Sequence, residues 1–124
     1  MLTYPCNMFQ EPFPNHNDPT YSYNAIFLSN ILHDWDIARC KVLCQKAFDA
    51  LPRKGSILIH EALFNDNYDG PLEVALFSFH MFSLTSGHQF SFNELKEMLK
   101  SCGFSEIGVI HSFGVYSIVH AKKE

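Results

Sequence analysis

Apolar residues along this chain fall into runs and stripes whose period marks out its elements. Residues 1–24 hold four of the six prolines among Asn, Asp and His, and read as an irregular approach loop. From Ala25 to Leu32 the run is almost continuously apolar, which suits a strand covered on both faces. Over Asp36–Leu51 the residues Cys40, Leu43, Cys44, Ala47, Phe48 and Leu51 recur at helical spacing, and Pro52-Arg53-Lys54-Gly55 stops that helix. Ser56–Leu63 is a second buried-type strand. Strand, helix and strand with short links make a parallel βαβ unit. After the turn-rich stretch Asn65–Gly70, Pro71 suits the first position of a helix running to about Leu84. That helix is apolar on nearly every side, a pattern that calls for enclosure by protein. Ser91-Phe92-Asn93-Glu94 has the form of a capping box and opens a short helix with Leu95, Met98, Leu99 and Cys102 inward, closed by Gly103. Phe104–His111 and Val115–Lys122 then read as a β-hairpin across Ser112-Phe113-Gly114. The fold class is therefore α/β: a parallel βαβ unit followed by a C-terminal antiparallel hairpin.

Composition narrows the function. At 124 residues the chain is one domain at most, and 47% hydrophobic against 18% charged residues gives it material for a small core. Lys and Arg number 9 against 13 Asp and Glu, a net charge of -4 that argues against a nucleic-acid surface. No apolar run approaches the roughly 18 residues of a membrane span, and the N-terminus lacks the form of a signal peptide. A soluble, cytoplasmic protein is the expectation. The four cysteines form no paired knuckles, and Cys40 and Cys44 sit on an apolar stripe as buried thiols. The seven histidines are scattered with no HxH or HxxxH pair, so no metal site is expected.

Functional groups in an open parallel sheet gather at the carboxyl ends of the strands. The first strand runs out at His33-Asp34-Trp35 and the second near His60-Glu61, which places His33 and Glu61 on one rim. An imidazole held by a carboxylate is the usual construction of a general base, because the acid fixes the tautomer and steadies the imidazolium. The plainer alternative is a loop histidine beside a helix start, with Asp34 or Asp36 as the cap. Spacing alone leaves both open.

The stretch Phe27-Leu28-Ser29-Asn30-Ile31-Leu32-His33-Asp34-Trp35 resembles the His-Asp-Trp signature of the S-adenosylmethionine-dependent O-methyltransferases, the group of plant phenolic, acetylserotonin and bacterial polyketide enzymes. Leu51–Ile59, Glu61, Asp69-Gly70-Pro71-Leu72, Ser86–Ser91, Cys6-Asn7-Met8-Phe9 and Ala121-Lys122-Lys123 are similar to further family segments, in the same order. The resemblance implies the second half of a class I methyltransferase (Rossmann-like) domain. It implies methyl transfer from S-adenosylmethionine to a hydroxylated small molecule of aromatic or polyketide type. His33 would be the general base and Glu61 its support, with Gln89 at the position of a second supporting acid and Asp34 beside the base. Asn7 and Met8 would contact the adenine, and Ser29 and Asn30 stand where the family often has a Lys or Arg for the cofactor's carboxylate. Phe77, His80 and Met81 would line the acceptor pocket.

Against that pattern, the sequence has no GxGxG turn for the cofactor, and no counterpart of the helical domain through which the resemblance implies a homodimer of the intact protein. Residues 1–124 are thus expected to be the C-terminal part of a catalytic domain, with Leu2-Thr3-Tyr4 as the remnant of a preceding strand. Two functions follow as expectations. One is the catalytic half of an O-methyltransferase; the other is a lobe that keeps the base, cannot hold the cofactor alone and serves at most as an interaction module.

Overall fold

Where the hydrophobic period switches between alternation and a helical stripe, the chain switches between strand and helix. The computed structural model describes residues 2–124 and contains one mixed sheet of four strands with three α-helices. The order is β1 (Ala25–Ser29), α1 (Ile37–Ala50), β2 (Ser56–Ala62), α2 (Leu72–Leu84), α3 (Phe92–Ser101), β3 (Ser105–Phe113) and β4 (Tyr116–Lys122). Strand order in the sheet is β1-β2-β4-β3, with β1 parallel to β2 and the other two pairings antiparallel. The last strand therefore lies inside the sheet, between β2 and its own hairpin partner.

β1 is shorter than the apolar run that announces it. Asn30 has a φ of 53°, in the left-handed region that Asn tolerates better than most residues, and it turns the chain out of the sheet. Leu32 is consequently buried in a 3-10 turn, Leu32–Asp34, rather than in the strand. α1 starts at the Asp36 cap, whose carboxylate accepts from the Arg39 N–H at 2.8 Å, so Asp36 and not Asp34 caps the helix. Pro71 also differs from the expectation. Its φ of -66° suits a helix but its ψ of 156° is extended, and it stands at the cap of α2, its carbonyl accepting from the N–H groups of Val74 and Ala75. The capping box of α3 is formed on both sides: Ser91 accepts from the Glu94 N–H, and the Glu94 carboxylate accepts from the Ser91 N–H. The hairpin turns at Gly114-Val115, one residue later than the pattern indicates, with Gly114 at a φ of 57°.

One face of the sheet carries the core. Ile57 and Ile59 of β2 and Val119 and Ala121 of β4 pack with Cys40, Leu43, Cys44 and Ala47 of α1 and Leu95, Met98 and Leu99 of α3. The opposite face is open: Phe27 is 58% and Ile110 60% exposed. α2 is also uncovered within this chain. Only Val74 is buried along it, while Leu72, Leu76, Phe79, Phe82 and Leu84 face outward. Cys40, Cys44 and Cys102 are buried free thiols, and burial pushes Cys40 up to about 12, so it is inert as a nucleophile. Among the described residues, no helix is long and apolar enough to cross a membrane.

Candidate active site

The 3-10 turn after β1 carries His33 over the end of β2, where Glu61 is the next-to-last residue. Strand alternation directs Glu61 to the core side of the sheet, and it is 1% exposed. His33 Nδ1 lies 2.6 Å from Glu61 Oε2, and the other carboxylate oxygen, Oε1, accepts from the His33 backbone N–H at 3.4 Å. A carboxylate only accepts, so Nδ1 carries the hydrogen and Nε2 keeps its lone pair. Nε2 faces Asp34 Oδ1 at 3.6 Å, and the Phe77 ring of α2 stands edge-on to the imidazole, centroids 6.1 Å apart. Burial disfavours the charged ring, but the Glu61 hydrogen bond and charge, with a smaller push from Asp34, outweigh it. The net direction for His33 is upward from 6.5. The loop after α2 fixes this turn from outside. A Cβ on Gly87 would sit 1.9 Å from the His33 carbonyl oxygen, so only glycine allows that approach.

The remaining sequence-derived residues divide by position. Gln89 is buried, yet among the described residues neither polar atom of its side chain has a hydrogen-bond partner, and it forms no hydrogen bond to His33. Its backbone N–H donates to the Ser78 hydroxyl on α2. His80 is exposed and Met81 half-buried on α2, one turn beyond Phe77. The Asn7 side chain caps its own turn, accepting from the N–H groups of Phe9 and Gln10, and Lys46 of α1 donates to the Met8 carbonyl. That turn abuts the site through Phe9, whose ring meets Trp35 edge-on at 4.8 Å; Arg39 lies over both rings, 5.4 Å from Trp35 and 5.9 Å from Phe9. Ser29 hydrogen-bonds across the strands to His60 at 3.0 Å, and Asn30 is exposed at the bend. The Phe9–Trp35–Arg39 cluster and the Ser29–His60 pair are absent from the sequence reading. Trp35 signalled the first only as part of a motif, and the second depends on strand register. Among the described residues no three His, Cys, Asp or Glu side chains are grouped to hold a metal ion.

Comparison with known proteins bears on this rim. A family model described as an O-methyltransferase domain matches residues 5–105. The chain belongs to the O-methyltransferase domain family. The 3-hydroxy-5-methyl-1-naphthoate 3-O-methyltransferase of Streptomyces sahachiroi is 35% identical over 104 residues, 84% of this chain and 28% of that protein. The acetylserotonin O-methyltransferase of Gallus gallus is 34% identical over 96 residues, 77% of this chain and 28% of the relative. Among solved structures, an O-methyltransferase family 2 protein from Planctomyces limnophilus, in complex with apigenin, superposes with a TM-score of 0.86 at 34% identity. It covers 96% of this chain and 34% of its own. Human N-acetylserotonin methyltransferase in complex with SAM gives a TM-score of 0.86 at 25% identity, covering 95% of this chain and 32% of that one. The chain therefore has the class I methyltransferase α/β fold and spans about a third of the length of the proteins it matches.

Proposed function

We propose that this chain forms the base-bearing part of an S-adenosylmethionine-dependent O-methyltransferase acting on a small hydroxylated aromatic molecule. The observation that carries the reading is the buried 2.6 Å contact between His33 Nδ1 and Glu61, which leaves Nε2 as the free basic nitrogen. The acceptor hydroxyl gives its proton to Nε2 as its oxygen attacks, and Glu61 steadies the imidazolium that results. Phe77, edge-on to the imidazole, supplies one apolar wall for a flat acceptor. S-adenosylmethionine, when bound, supplies an electrophilic methyl group on sulfur. The groups at the strand ends fit parts of such a molecule: the Phe9 and Trp35 rings offer an aromatic wall for a purine, and the Ser29 hydroxyl and His60 ring offer polar contacts. Carrying the reading further, Asn7 and Met8 border the purine and Asn30 the amino-acid end.

His33→Gln tests the base. In a form of the protein that turns over, methyl transfer should fall at least about 100-fold, the usual weight of a general base, with cofactor affinity nearly unchanged. A variant keeping a tenth of the rate removes His33 from that role. A second reading, a lobe that retains the pair but needs further polypeptide to hold the cofactor, is favoured by the exposure of Phe27, Ile110 and the α2 side chains. Calorimetric titration of this chain with S-adenosylmethionine separates the two: binding tighter than about a millimolar, ~4 kcal/mol, favours the first, and no heat favours the second.

A further inference from the structure

α2 is fastened to the molecule differently from α1 and α3. The segment that carries it leaves and returns at one point: the Phe64 N–H donates to the Phe90 carbonyl at 3.0 Å, and Phe64 forms an isolated parallel bridge with Ser91. Residues 65–89 are thus an excursion closed at its neck. The stretch leading out folds on itself, the Asn65 N–H donating to the Gly70 carbonyl at 2.8 Å, and Asp66 accepts from the Asn93 N–H at the start of α3. On the way back, Gly87 rests against the His33 carbonyl. Between these fixed ends the helix is held lightly. Val74 is the one buried residue of its thirteen. Among the described residues no hydrogen bond or ion pair joins α2 to anything outside the excursion. Beyond its own ends the helix makes one such bond, the Ser78 hydroxyl accepting from the Gln89 N–H at 3.1 Å.

Two groups beside α2 are ill suited to staying covered. The His33 side chain, with Phe77 edge-on to its ring, is 8% exposed, yet a base has to meet the hydroxyl whose proton it takes. Gln89 is fully buried, and among the described residues neither its Oε1 nor its Nε2 has a partner. A buried amide in that condition favours any arrangement that lets water reach it. Resting on the reading of His33 as the base, we propose that α2 is a lid over the His33–Glu61 pair. It swings outward on the neck at Phe64 and Phe90, parting Phe77 from the imidazole and Ser78 from Gln89. Opening gives the acceptor hydroxyl access to Nε2 and hydrates the Gln89 amide; closing returns Phe77 as a wall against the acceptor. The apolar contacts of Val74 and Phe77 hold the closed form and the unpaired amide opposes it, which is the balance a hinged element needs.

The test uses this chain alone. Hydrogen exchange read by mass spectrometry follows the opening of α2. Diethyl pyrocarbonate, which acylates a neutral imidazole nitrogen, follows the exposure of His33, with exposed His111 of β3 as the reference. In the wild-type chain the amides of α2 should exchange at least about tenfold faster than those of α1 and β2, and His33 should be acylated at least about tenfold more slowly than His111. Gln89→Leu, which removes the amide that opposes closure, should slow α2 exchange and His33 acylation together by about fivefold. Val74→Ala, which weakens the anchor, should speed both by about fivefold or more. In both variants α1, β2 and His111 should keep their wild-type rates. Exchange of α2 no faster than that of α1 and β2, or rates for α2 and His33 that change independently of each other, overturns the lid. Neither readout involves turnover, so the base reading stands or falls separately, on the rate of the His33→Gln variant.

Discussion

His33 stands between opposing pressures, and their balance has consequences for pH. Burial favours the neutral ring, but the Glu61 hydrogen bond and charge outweigh it and raise the pKa above 6.5. As the proposed base, His33 must be neutral to accept a proton, so the rate of methyl transfer should fall as pH drops through the raised value. Glu61→Gln should shift that acid limb to lower pH and reduce the rate on the plateau; a pH–rate profile checks both. For stability the sign is reversed. Protonated His33 is held better in the fold than in the unfolded chain, so its contribution is fully present below 6.5 and is lost as pH rises through the raised value. Thermal unfolding followed across that range should show the decline. Gln89 carries a different cost. A buried amide with neither atom paired forfeits about 1–3 kcal/mol, so Gln89→Leu should leave the chain as stable or raise its stability by up to about 1 kcal/mol in urea unfolding. A clear loss would mean that the amide has a partner after all.

The elements succeed or fail by their ends. Ser91→Ala should cost about 1 kcal/mol in urea unfolding, since the capping box of α3 is made on both sides. Gly87→Ala should be more severe, because its Cβ would overlap the His33 carbonyl; reduced stability together with loss of methyl transfer is the expected result. Both features could be anticipated to different degrees. The capping box is a local pattern and was legible, as were the helical stripe of α1, the alternation of β2 and the meeting of His33 with Glu61 at adjacent strand ends. The end of β1 was not, because one left-handed residue, Asn30, redirects Ile31 and Leu32 out of the strand while leaving the apolar run intact. Nor could the pattern show Ser29 opposite His60. A shift of one residue in register would turn either side chain to the other face, and pairing between distant strands sets that register. Gln89 falls where the resemblance implies a supporting acid, but the loop buries it without a hydrogen bond to the histidine.

For the molecule as a whole, one sheet face and one helix leave apolar surface in view. Phe79 and Phe82 are 73% and 77% exposed, so replacing both with Ser should change the free energy of urea unfolding by no more than about 0.5 kcal/mol each. The same pair of changes should reduce self-association measured by light scattering. A large loss of stability would mean that α2 is packed more tightly than its exposure indicates. The position of β4 has a consequence of another kind. Among the described residues β3 has no neighbour in the sheet but β4, and β2 reaches β3 only through it. Val119 and Ala121, fully buried, complete the core from that strand. During synthesis, residues 105–113 therefore leave the ribosome with nothing to zip onto, and the sheet cannot close until residues 116–122 have followed them.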